Sequence, residues 1–332
     1  NERPNMNFKA LFRHRATELS LTAIFVIGFL LLVATSHGVL LSRESLQGFL
    51  TYLAVPIVIG MAQMVVLAIG QMNLAVGAMG GVSAAIMAVL MADHHYPIWL
   101  ALLIGFLAAT AMGAINGFLV VVTQLNGFII TLGTMTILLG FQYRLVRTFT
   151  IDAYPKSLPD FGAKNILGFP LILVIAIATS VVLSLFFSRT ATGRRVLATG
   201  GNALAARLSG ISNGKSVFIA HTLSGALVGI AAIITIASLP GINRSIGGDW
   251  MLASFAAPII GGVLMAGGTV AIYGTVVAAG VVRLVDIARA QYSLDPSIVS
   301  LTVGVVVLST VALSEFRRRR SEREREGRKV AA

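Results

Sequence analysis

Ten apolar stretches occupy most of this chain: residues 19–41, 48–69, 74–91, 98–122, 128–149, 167–187, 217–239, 251–264, 269–287 and 297–313. Crossing the roughly 30 Å hydrocarbon core of a bilayer takes about 20 apolar residues of helix. Lipid offers the backbone no hydrogen-bond partner, so a helix that satisfies every amide internally is the natural way to span it. Runs of this length exceed any buried strand, and only 11% of the 332 residues are charged against 56% hydrophobic. The expected fold is an all-α polytopic membrane protein with about ten transmembrane helices. The first stretch is too long for the core of a signal peptide and reads as a retained span.

Charge sets the expected orientation. Of 25 Lys and Arg, four lie in residues 1–18, five in the connection 188–216 and eight in Arg317–Lys329. Basic connections stay on the cytoplasmic side. All three stretches then face the cytoplasm, which requires an even number of spans on either side of the connection, and six followed by four meets that. The expected organisation is a basic cytoplasmic N-terminus (1–18), a transmembrane domain (19–315) and a charged cytoplasmic tail (316–332). The same clustering explains the net charge of +12 without nucleic acid; membrane lipid is the expected partner of the basic tail. The chain has no cysteine, so it offers no disulfide and no thiolate metal site. Adjacent His94 and His95 have poor geometry for joint metal ligation.

The connection 188–216 contains local folding signals. Gly200 and Gly201 close one short helical run, Asn202 is a suitable N-cap, and Gly210 stands where a helix C′ residue belongs. Between the caps Leu204, Leu208 and Ile211 recur at helical spacing, with Arg207 beside them. GISNGKS at the end of this connection has three residues between its glycines where a phosphate loop needs four. It carries no nucleotide site.

The run ATGGNALAARLSGI, with IIGGVLMAGG downstream, resembles the permease subunit of ribose-type monosaccharide ABC importers. GQMNLAVGAMGG and INGFLVVVTQLNGFIITLGTM resemble two further segments of that family, and the likeness runs from about residue 50 to 313. The resemblance implies that Gly201, Asn202, Ala205, Ala206, Ser209, Gly210 and Ile211, with Arg207 beside them, contact a cytoplasmic ATPase subunit. It implies a periplasmic sugar-binding protein, a second permease subunit (identical or related), a location in the bacterial inner membrane, and ATP and Mg held only by the partner ATPase. Permeases of branched-chain amino-acid importers share this plan and are the alternative; a stand-alone secondary carrier is a further one. Where the family has Asp, this chain has Asn73.

Two apolar segments are interrupted by glycine in matching style, at Gly70 and Gly77 and again at Gly261 and Gly262. Interrupted helices in the two halves of a transporter point to a pathway near the bilayer midplane, because freed backbone groups must face protein or a cavity. Polar residues at span depth (Gln63, Asn73, Asn116, Asn126, Thr131 and Thr134), with Phe128 and Phe255 as aromatic walls, form the candidate lining for a small polyol. The pairs Gly77/Gly81, Gly113/Gly117 and Gly225/Gly229 are expected to serve helix packing within the bundle. No pattern of nucleophile and base suggests an enzyme.

Overall fold

The structure is a computed structural model that describes residues 8–147, 150–152, 154–293 and isolated positions between 295 and 309. The expected tail (316–332) and most of the expected last span (297–313) lie outside the described residues. In chain order the helices are α1 (Phe8–Thr35), α2 (Arg43–Leu67), α3 (Val76–Ala92), α4 (Ile98–Thr123), α5 (Gly127–Leu145), α6 (Ser157–Gly162), α7 (Leu171–Arg189), α8 (Ala191–Gly201), α9 (Ala203–Leu208), α10 (Asn213–Ser238), α11 (Trp250–Ile260) and α12 (Ile272–Gln291). Six of the described helices, α1, α2, α4, α5, α7 and α10, are long and apolar enough to cross a membrane. The protein is an all-α multi-pass membrane protein.

Helix ends depart from the expected boundaries for local reasons. The first helix stops at Thr35, where His37 and Gly38 adopt left-handed backbone and a short 3₁₀ turn, Val39–Leu41, follows. The stretch expected at 251–264 yields only the eleven residues of α11. Gly262 then turns left-handed at φ 94°, and Gly267 and Gly268 do the same before α12 begins. Gly77 lies inside the first turn of α3 rather than in the interruption before it.

The centre of the bundle is α2. Every residue from 57 to 69 is buried, as expected of a helix that is apolar on all sides. Around it stand α7, α10, α11 and α12. The other close partnership is between α4 and α10, and glycine permits it. A Cβ on Gly113 would lie 2.4 Å from the His221 carbonyl oxygen, and one on Gly225 would lie 2.5 Å from that of Ala109. The third glycine pair also packs inside the chain: Gly77 meets Gly247 and Gly81 meets the Gln142 amide.

At the end of the bundle remote from α8 and α9, two connections are knitted into a cap. Thr150–Ile151 pairs antiparallel with Ile242–Asn243. Gln142 donates from Nε2 to the carbonyls of Arg244 (3.2 Å) and Ile246 (2.9 Å), and Arg244 donates from Nε to the Val146 carbonyl at 2.7 Å. Tyr154 donates to the Leu239 carbonyl; burial, with Asp152 adding to it, raises its phenol to about 12, so it remains a donor throughout the physiological range.

Overpacking a tight helix crossing costs about 1–3 kcal/mol. Gly113→Ala and Gly225→Ala should each lower the thermal midpoint of the detergent-solubilised chain by several degrees. Gly48→Ala, which meets nothing within 4 Å, should leave it unchanged or raise it.

Candidate functional site

The basic connection folds as a capped two-helix unit. Thr190 caps α8 by accepting from Gly193 N at 3.0 Å, and Asn202 caps α9 by accepting from Ala205 N at 2.9 Å. Gly210, left-handed at φ 79°, closes α9, and Ile211 N returns to the Ala206 carbonyl at 2.9 Å. One face anchors the unit: Val196 and Thr199 of α8 are buried, and Thr199 Oγ1 donates to Ser216 Oγ of α10 at 2.9 Å. The other face is open. Leu204 is 69% exposed and Leu208 80%, and Gly201, Asn202, Ala205, Arg207, Ser209 and Gly210 are exposed with them. Ala206 alone of the expected contact residues is buried, and Ile211 is half-buried.

Behind this unit lie both interruptions. The Gly268 N–H donates to the Ala68 carbonyl at 2.8 Å, joining the segment after α11 to the segment after α2. Gly200, near the end of α8, fits against the same place: a Cβ there would lie 1.9 Å from the Ala68 oxygen and 2.7 Å from Gly268 N. Gly70 and Gly267 approach each other in the left-handed region, at φ 71° and 89°. Three chain segments therefore meet backbone to backbone, at a distance only glycine permits. The sequence suggested a midplane position for the interruptions. Both begin at the end of the bundle that carries α8 and α9, and the one after α2 continues inward to Asn73, which bonds Ser224 mid-way along α10. Of the expected interruption glycines, Gly261 is the helical C-cap of α11, packed against Gly274, and Gly262 makes the turn after it.

The polar residues expected at span depth divide into two groups. With its amide placed to suit its surroundings, Gln63 donates to the Asn73 carbonyl at 2.9 Å and accepts from the Asn73 N–H at 3.2 Å. Asn73 accepts from Ala75 N at 3.0 Å through Oδ1 and donates through Nδ2 to Ser224 Oγ at 3.2 Å. Thr131 accepts from Leu74 N at 3.0 Å and donates to the Gly127 carbonyl at 2.7 Å. These side chains hold the unwound residues between α2 and α3, supplying the partners that a helix would have supplied. Thr134, one turn further along α5, donates to the Thr131 carbonyl at 3.3 Å. Asn126 caps α5 and, with Phe128, Gly70, Gln71, Met72 and Ile129, lines a cavity of about 380 Å³ beside the break. Asn116 is buried on α4 with its amide 3.7 Å from the Met79 sulfur, which the Asn73 amide also approaches at 3.8 Å, and Phe255 packs against the core from α11. Neither lines that cavity.

Three residues absent from the sequence expectation complete the site. His221 and Ser224 are fully buried on α10, and the His221 ring nitrogen Nε2 lies 3.1 Å from Gln71 Oε1. A lone histidine within the apolar stretch 217–239 was the available signal, since polar groups inside a span are costly and rarely idle.

The family model described as the permease component of the branched-chain amino acid transport system matches residues 45–311. The chain belongs to that family. Among its relatives the D-allose transport system permease protein of Escherichia coli K12 is 27% identical over 95% of this chain and 96% of its own length. The fructose import permease protein of Rhizobium meliloti is 27% identical over 87% and 84%, and the L-arabinose ABC transporter permease protein of Azospirillum brasilense is 27% identical over 88% and 87%. No solved structure matches this permease.

Leaving a buried polar group unpaired costs about 1–3 kcal/mol. Gln63→Leu strands the amide and carbonyl of Asn73, so the permease should lose roughly 2–4 kcal/mol, from the same principle applied to two groups. A fall in thermal midpoint well beyond that of Thr136→Val, which alters one exposed hydroxyl on α5, checks it.

Proposed function

We propose that the chain is the transmembrane subunit of an ATP-driven, binding-protein-dependent importer that moves a monosaccharide or related small polyol across the bacterial inner membrane. The observation that carries the coupling half of this reading is the basic unit of α8 and α9. Its outward face presents Leu204 and Leu208 to whatever lies beyond the bundle, and its inward face touches both interruptions through Gly200 and Gly201. A cytoplasmic ATPase pushing on the first face acts on the second without intervening side chains to absorb the motion. Coupling of this kind needs a rigid element between two sites, and a capped helix in direct backbone contact is one. ATP and Mg belong to that ATPase; this chain converts its closure into alternating exposure of a pathway.

The sugar half is supported by relatives along nearly the whole chain whose names carry allose, fructose and arabinose. The amino-acid reading has only the family's description behind it. In the finer reading the chain has ten spans, six before residues 188–216 and four after, with both termini cytoplasmic. The unwound residues held by Gln63, Asn73 and Thr131, with the cavity at Asn126 and Phe128, line the route. A second permease subunit completes it, and a periplasmic binding protein delivers substrate to the cap built on Gln142, Tyr154 and Arg244.

Surface substitutions on α9 should change stability by no more than about 0.5 kcal/mol while disconnecting the motor. Arg207→Glu and Leu208→Asp should lower ATP-dependent uptake by the reconstituted importer at least ten-fold, with the thermal midpoint of the chain unaltered. Uptake at the original rate in both variants would refute the coupling role. Because the chain lacks cysteine, Ser209→Cys gives a clean orientation probe. In intact cells an impermeant maleimide should fail to label it, and labelling would reverse the topology.

A further inference from the structure

Buried polar groups in a membrane bundle are normally paired, and of the four unpaired side-chain atoms among the described residues one belongs to a histidine deep in α10. His221 is completely buried on α10, and its ring is held at one nitrogen only: Nε2 lies 3.1 Å from Gln71 Oε1. With the amide oxygen accepting, Nε2 carries the proton and Nδ1 is left with a lone pair. That nitrogen has no hydrogen-bond partner among the described residues. A buried acceptor left unpaired is costly, so its place beside other polar groups calls for a physical reason.

The surroundings supply one. Gln71 belongs to the unwound segment after α2, and the same side chain lines the cavity of about 380 Å³ that also contains Asn126 and Phe128. On the far side of His221, one turn along α10, is Ser224, fully buried and joined to Asn73 at 3.2 Å. The Gln71–His221 contact therefore has an open cavity on one side of its chain of contacts and a second pair of buried polar groups one turn along α10. It also sits on the segment whose backbone is seized by the basic unit: Ala68, three residues before Gln71, accepts from Gly268 and abuts Gly200. Nothing covalent or ionic holds the contact closed. It is one neutral hydrogen bond between a segment without helical structure and a regular helix.

We infer that Gln71 and His221 form the inner constriction of the transport route, a latch that parts when the 68–75 segment is displaced by α8. The pair suits a polyol. An apolar seal would offer a passing sugar no partner for its hydroxyls, whereas an amide and an imidazole exchange their mutual bond for bonds to hydroxyl groups, with Nδ1 as an acceptor already free. The inference rests on reading the chain as a transport subunit but not on which substrate it carries.

Ser224→Cys tests it in the complete importer complex in lipid nanodiscs, the rate of N-ethylmaleimide reaction being followed on this chain alone. With the latch intact and no nucleotide, Cys at 224 should react slowly. Adding Gln71→Ala or His221→Leu should accelerate the reaction at least ten-fold, and so should ATP hydrolysis without either substitution. Rates unchanged by both substitutions would overturn the latch. If His221→Leu fails to assemble, Gln71→Ala decides alone, since Gln71 is only half-buried. Uptake of D-allose, D-fructose and L-arabinose is measured separately on the unsubstituted importer reconstituted into sealed proteoliposomes. Failure of all three beside an intact labelling response would remove the substrate reading and leave the latch standing.

Discussion

An unwound backbone buried in a membrane bundle must find partners for every amide it frees, and the residues between α2 and α3 show how this chain meets that demand. Gln63 reaches from within α2 to both backbone groups of Asn73. Asn73 turns its own amide onto Ala75 N and Ser224, and Thr131 of α5 takes Leu74 N. Three helices thus contribute side chains to one short interruption. An amide at position 73 fits this role better than a carboxylate, because it both donates and accepts and carries no charge to be desolvated.

Close approach is the second constraint, and it follows from the first. Gly268 N bonds to the Ala68 carbonyl, so the interruption after α11 satisfies the one after α2. That bond forms only because Gly200, Gly267 and Gly268 leave room around it. The basic unit is consequently part of the interruptions rather than an appendage beneath them. Its capped helices expose Leu204 and Leu208 because its buried side is already committed to Val196, Thr199 and the glycine contact.

The opposite end is built on different terms. There the connections lie beyond the apolar helices and bind one another through side chain to backbone hydrogen bonds, with Gln142, Tyr154 and Arg244 as donors. Hydrogen-bonded connections at one end and glycine backbone contacts at the other leave the bundle with two differently built ends.

The sequence by itself determined the membrane class, the position of most helices and the caps at Asn202 and Gly210, because each depends on neighbouring residues: length of apolar run, cap chemistry, a glycine free to turn left-handed. It also marked Gly70 and Gly262 within the interruptions, though not what they meet. Helices such as α2 are apolar on every side, so their periodicity carries no record of which face meets which neighbour. The meeting of Gln71 with His221, 150 residues apart, and of Gly200 with Ala68 and Gly268 were decided by packing alone. Only the tertiary structure brings such distant segments together and thereby selects which residues form one site and which, like Phe255, stand outside it.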